Sequence, residues 1–137
     1  MSLKPVSQDP LRDKKLKAFD RMLTIMDELR ENCPWDMKQT LESLRYLSIE
    51  EVYELSDAIL ADDKSEICNE LGDLFLHLLF YARIASETND FSILDVLENI
   101  AEKMIRRHPH IYSNVKVDSE EEVKKNWVTT DRYIIQS

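Results

Sequence analysis

Residues 63–87 read DKSEICNELGDLFLHLLFYARIASE, and this stretch decides the fold. Asp63 followed by Glu66 has the form of a capping box that opens a helix. The spacing predicts that this helix continues to about Glu87. Its later half, Leu74 to Phe80, is apolar on almost every side, which places it at the centre of the fold or in a subunit interface. The run from Leu74 to Ala82 is interrupted by His77 and is far too short to span a bilayer, so no membrane role follows.

The neighbouring segments have the same period. From Leu11 to about Asn32, Leu16, Phe19, Leu23 and Met26, flanked by Met22, Ile25 and Leu29, give a wide apolar helical face. Pro34 stops that helix, and Asn32 to Asp36 reads as a loop. Thr40 and Ser43 offer caps for the next helix, which runs to about Leu60. Ser92 caps a further helix through Arg107, with Ile93, Val96, Leu97, Ile100 and Met104 inward and Pro109 as its end. Ser119 with Glu122 opens a short last helix holding Trp127. Residues 1–10 have no period and read as a flexible lead-in to a single helical domain over 11–137.

The whole chain of 137 residues has one glycine and four prolines, too little turn chemistry for a sandwich or barrel. The expectation is an all-α, four- to five-helix bundle-like domain. A formal net charge of −9 argues against a surface that tracks nucleic-acid phosphates. Cys33 and Cys68 show neither a CxxC spacing nor a histidine partner, and without a leader pattern the plain reading is reduced thiols in the cytoplasm.

The chemistry sits in two acidic pairs, Glu51 with Glu54 and Glu70 with Asp73. Residues three apart on a helix differ by about 60° in direction and about 4.5 Å in height, so each pair presents two carboxylates on one face. That face is the packing face. Leu44, Leu47, Glu51, Glu54 and Ala58 share one stripe, and Glu70, Asp73, His77 and Phe80 share another. A buried carboxylate is costly unless it is paired or coordinates a metal. Four oxygen ligands from two helices suit a hard cation, Mg²⁺ with Mn²⁺ as substitute. A carboxylate-bridged di-iron centre competes, but it needs Glu-x-x-His, and neither pair has it. His77, one turn beyond Asp73, reads as a satisfied core residue rather than a ligand.

Two further clusters accompany the acids. Lys103, Arg106 and Arg107, followed by His108, close the Ser92–Arg107 helix. Cations there complement the helix dipole, and Lys103 with Arg107 on one face is also equipment for gripping a polyphosphate. After Pro34, the group Trp35, Asp36 and Gln39 offers an aromatic plane and hydrogen-bonding groups to a nucleobase, or Trp35 plugs the core.

In order along the chain stand Cys33-Pro34-Trp35-Asp36, Gln39-Thr40, Ser43-Leu44-Arg45, Glu50-Glu51-Val52-Tyr53-Glu54, Glu70-Leu71-Gly72-Asp73 and the run Glu102 to His110. This arrangement resembles the MazG-type nucleoside triphosphate pyrophosphohydrolases over about Leu16 to Tyr112. The resemblance implies an all-α hydrolase that cuts NTPs or dNTPs to the monophosphate and pyrophosphate with Mg²⁺. It implies that Glu51, Glu54, Glu70 and Asp73 hold the metal and that Lys103, Arg106 and Arg107 contact substrate phosphate. It also implies a homodimer or dimer of dimers, with helices shared across the subunit interface. Tyr46-Leu47-Ser48-Ile49 departs from the proline and tyrosine order often seen before the first acidic pair in that family.

Metal-assisted hydrolysis is the expected mechanism, with Glu50 about 100° round the helix as an outer-shell base. The rival is a non-catalytic helical protein that senses nucleotide or binds a partner on the same scaffold. Four acids on apolar stripes favour the enzyme, because packing alone gives no reason to keep them there.

Overall fold

The computed structural model describes residues 3–113 and 119–125. Helices are α1 (Arg12–Asn32), α2 (Pro34–Lys38), α3 (Leu41–Leu60), α4 (Lys64–Glu87), α5 (Ile93–Arg107) and α6 (Pro109–Tyr112). Residues 120–125 are also helical, and no strand occurs among the described residues. The chain divides into two units, one over Pro10–Ile93 and the other formed by the segment up to Asp9 together with Leu94 onward.

In the first unit, sequence-coded caps fix the ends of α3 and α4. The Thr40 side chain accepts from the Ser43 N–H at 3.1 Å while Ser43 Oγ accepts from the Thr40 N–H at 2.8 Å. A cap of this kind stabilises a helix by about 1 kcal/mol. Asp63 accepts from the Glu66 N–H at 3.2 Å and starts α4. Between the two helices Asp62 takes a φ of 52°, a left-handed conformation that Asp tolerates because its short side chain bonds locally. A link this short makes α3 and α4 an antiparallel pair.

Helix α1 runs parallel to α4. Phe19 meets the Phe75 ring at 6.0 Å, Asp27 pairs with Arg83 at 2.7 Å and Arg30 pairs with Glu87 at 2.7 Å, in step along both helices. The core forms where α1, α3 and α4 meet. Met26, Leu44, Leu79 and Phe80 are buried there, with Phe19, Leu23, Leu47 and Ile84 among the residues packed around them.

Two expectations need correction. Asn32 to Asp36 is not a plain loop: Pro34 ends α1 and opens α2, since the missing proline N–H costs nothing at the first helical position. Pro109 does the same for α6 after α5. The apolar run of α4 buries Leu79 and Phe80 and leaves Phe75 and Leu78 half exposed. On α5, Val96, Leu97 and Ile100 likewise stand exposed rather than inward. Ser119 Oγ accepts from the Glu122 N–H at 3.3 Å, the anticipated cap. Trp127 lies outside the described residues.

Candidate metal centre

The antiparallel pairing of α3 with α4 sets the acids against each other. Along the seam, Leu44 and Phe80 are buried at one end and Ala58 at the other, which explains why the acidic positions fall on packing stripes. Glu51, Glu70 and Asp73 each bring one carboxylate oxygen to within 4.8 Å of the others. Glu70 is 6% exposed. Glu51 and Glu70 each keep one buried oxygen, Oε2, with no hydrogen-bond donor. Buried acceptors are nearly always satisfied in folded proteins, so two orphans side by side call for a proton or a cation between them.

The electrostatics say the same. The Glu70 carboxyl is pushed up to about 8. The main cause is a hydrogen bond shared with Glu51, followed by one with Glu66, burial, and the adjacent Glu54. Close carboxylates cannot all ionise unless positive charge sits among them. Hard divalent cations prefer oxygen ligands, and this donor set offers only oxygen. The residues therefore fit a Mg²⁺-like ion. Glu54 is exposed and is not one of the three converging side chains, but it raises the Glu70 pKa first through a shared hydrogen bond and then through its charge.

One turn from the acids, Ser48 Oγ bonds His77 Nδ1 at 3.1 Å and also bonds the Tyr81 hydroxyl. His77 is thus a satisfied seam residue and not one of the converging ligands. Beyond it stands the turn after Pro34. Trp35 is half exposed and meets the Phe80 ring edge-on at 6.5 Å. The Gln39 side chain donates to the Trp35 carbonyl at 2.9 Å and accepts from Ser43 Oγ at 2.8 Å. Asp36 lies half-buried in the same turn. Trp35 therefore neither plugs the core nor stands clear of it: one edge is anchored and much of the ring is open.

Sequence reasoning missed the residue that holds this turn. Arg30 donates from Nη1 to the Asp36 carbonyl at 2.7 Å and to the Gln39 carbonyl at 2.8 Å. Its Nε and Nη2 donate to the two Glu87 oxygens at 2.7 and 2.8 Å. The Glu87 hydrogen bond raises the Arg30 pKa, and the Arg30 hydrogen bond lowers that of Glu87. The only signal in sequence was a cation in the last turn of α1, which the helix dipole already explains.

Lys103, Arg106 and Arg107 lie in the last turns of α5, in the second unit. Arg106 approaches Glu102 at 4.0 Å, an i, i+4 pair. Cys33 and Cys68 are free thiols.

Comparison with known proteins adds to this geometry. A family model described as the MazG nucleotide pyrophosphohydrolase domain matches residues 39–112. The chain is 44% identical over 122 residues to an uncharacterised protein, YabN, of Bacillus subtilis, covering 86% of this chain and 25% of that one. It is 38% identical over 115 residues to the nucleoside triphosphate pyrophosphohydrolase of Escherichia coli, covering 82% of this chain and 44% of that one. A crystal structure of a mazG-related protein from Thermotoga maritima superposes with a TM-score of 0.71 at 26% identity, over 82% of this chain and 98% of that one. The chain thus spans between a quarter and less than half of the length of those two sequence relatives.

Proposed function

Since this chain belongs to the MazG nucleotide pyrophosphohydrolase domain family, we propose that it hydrolyses nucleoside triphosphates, NTPs or dNTPs, to the monophosphate and pyrophosphate with Mg²⁺. The observation that carries this reading is the convergence of Glu51, Glu70 and Asp73, with two buried oxygens that lack donors. Glu51, Glu70 and Asp73 would hold the ion, and Glu54 would complete the set from one turn further along α3. When bound, a divalent cation supplies positive charge against the phosphate oxygens and acidifies water for attack on phosphorus.

The chain's own residues supply the rest. In the reaction a water oxygen bonds to phosphorus, the phosphoanhydride P–O bond breaks, and its electron pair leaves on pyrophosphate. The water proton passes to Glu50 or to solvent. Lys103, Arg106 and Arg107 contact the phosphates and take up charge on the leaving group. Trp35 stacks on the base, with Asp36 hydrogen-bonding its edge and Gln39, while bonded to Trp35 O and Ser43 Oγ, reaching it with its second amide hydrogen.

The enzyme works as a homodimer or dimer of dimers. Phe75 and Leu78 on α4 and, in the other unit, Val96, Leu97 and Ile100 on α5 leave apolar side chains open, surface of the kind that a second copy covers. No helix among the described residues is long and apolar enough to cross a membrane.

Product analysis tests the reaction. Incubation with ATP, GTP, CTP or UTP and Mg²⁺ should give monophosphate and pyrophosphate in equal amounts. Formation of the diphosphate and orthophosphate would contradict it, as would no turnover.

A further inference from the structure

Arg30 makes four charge-assisted hydrogen bonds from a side chain only 12% exposed, two to Glu87 and two to carbonyls of the Trp35 turn. The carbonyls, of Asp36 and Gln39, bracket the end of α2, where helical C=O groups run short of partners in their own helix; the Asp36 carbonyl accepts otherwise only a 3.3 Å bond from the Gln39 N–H. A five-residue helix has little stability of its own. Beside the Trp35–Phe80 contact, the guanidinium is what ties the end of this helix to the bundle, and Glu87 at the far end of α4 fixes the guanidinium. The Arg30 cation also lies 6.0 Å from the centre of the Phe80 ring, the ring that Trp35 meets edge-on. One buried aromatic thus locates both the clamp and the stacking residue.

The clamp bears on the reaction through distance. Phe80 follows Asp73 by seven residues on α4, about 10 Å along the helix axis. That is the order of the span from a nucleobase to the phosphates of its own nucleotide. A base on Trp35 and phosphates at the carboxylates can belong to one molecule only if the Trp35 turn is held at that separation. Gln39, held by its carbonyl, then keeps its side chain on Trp35 O and Ser43 Oγ.

We propose that Arg30 is a positioning residue for base selection: anchored on Glu87, it clamps the Asp36 and Gln39 carbonyls and so holds the Trp35 ring against Phe80 at the nucleobase. This rests on the reading of Trp35 as the base-stacking residue. A clamp that served stability alone would lower the melting temperature without changing which base is preferred.

The test compares Trp35→Ala, Arg30→Met, Arg30→Lys and the double variant Arg30→Met/Trp35→Ala. Steady-state kinetics and calorimetric binding are measured with ATP, GTP, CTP and UTP, on protein whose helicity and melting are checked by circular dichroism. Arg30→Lys keeps the cation and its pairing with Glu87 but cannot make four bonds in one plane, so it serves where Arg30→Met does not fold. Trp35→Ala should raise KM for the preferred nucleotide about tenfold and flatten the base ranking, the loss expected for one stacking contact. The Arg30 variants should show the same flattening with kcat within about twofold, as for a contact made equally in ground and transition states. The double variant should be no worse than Trp35→Ala, because both remove one interaction. An unchanged ranking in the folded Arg30 variants, alongside a changed one in Trp35→Ala, overturns the clamp alone. An unchanged ranking in Trp35→Ala overturns the base-stacking reading and the clamp with it. Calorimetry carries the same comparison if turnover is absent, which separates failure of the clamp from failure of the hydrolase reading.

Discussion

Glu51 and Glu70 meet across the α3–α4 seam with one oxygen of each buried and without a donor. Two helices that otherwise pack through Leu44, Ala58 and Phe80 thus enclose a pair that repels when ionised and no cation lies between them. Replacing a member of the group should therefore separate function from folding. Glu70→Gln and Asp73→Asn should each lower hydrolysis by about a hundredfold or more while melting of the metal-free protein stays the same or rises. Kinetics with thermal denaturation in chelator check this. Wild-type turnover in either variant removes these residues from the metal site.

Metal-free stability should depend on pH in a defined direction. The Glu70 carboxyl is raised from 4.5 to about 8 on folding, so the folded chain binds more protons than the unfolded chain between those values. Its contribution is complete below the unfolded pKa and is lost as pH rises through about 8. Melting temperature in chelator should fall from pH 5 to pH 8, and saturating Mg²⁺ should flatten the slope. Glu87 acts in the opposite sense: Arg30 lowers its pKa, so its contribution is present above the ordinary carboxylate range and fades as pH drops through the folded value. A melting temperature that climbs steadily from pH 5 to pH 8 in chelator would contradict the shared-proton picture.

The α5 cations offer a test that distinguishes phosphate binding from helix-end electrostatics. If Lys103 and Arg107 only complement the helix dipole, alanine there should cost a few tenths to about 1 kcal/mol of stability and nothing in catalysis. If they contact phosphate, stability should barely change while kcat/KM falls about ten- to a thousandfold, alike for purine and pyrimidine nucleotides. Equal kinetics for Arg107→Ala and wild type would take Arg107 out of the site.

Much of this was legible in the sequence, and the parts that were not share a cause. Helix periods and the Thr40–Ser43 and Asp63–Glu66 caps are local signals, and the structure follows them. Acid on the stripe of Leu44 and Ala58 was visible because a charge there breaks the packing pattern. The short α2 was hidden because Pro34 signals both a stop and a start. Arg30 was hidden because its partners lie six, nine and fifty-seven residues away, and no local pattern encodes such a meeting. Glu54 illustrates the opposite limit. Spacing groups it with Glu51, and it reaches Glu70 by a shared hydrogen bond from an exposed position, without joining the tight convergence of Glu51, Glu70 and Asp73.

Self-association should accompany activity. Phe75 is 42% exposed and Leu78 51%, a cost that a second copy would relieve. Light scattering should give at least twice the chain mass at micromolar concentration, and Leu78→Arg should shift it toward the single chain. A compact monomer in the wild type would refute the shared interface.

Pyrophosphate release with a carboxylate-held cation can be read from phosphate appearance from NTPs in a coupled assay. Each reaction is run with and without Mg²⁺ and with and without added inorganic pyrophosphatase. Phosphate should appear only when both are present and should be lost in Glu70→Gln. Phosphate release that persists in chelator, or that needs no pyrophosphatase, would contradict cation-dependent pyrophosphate release.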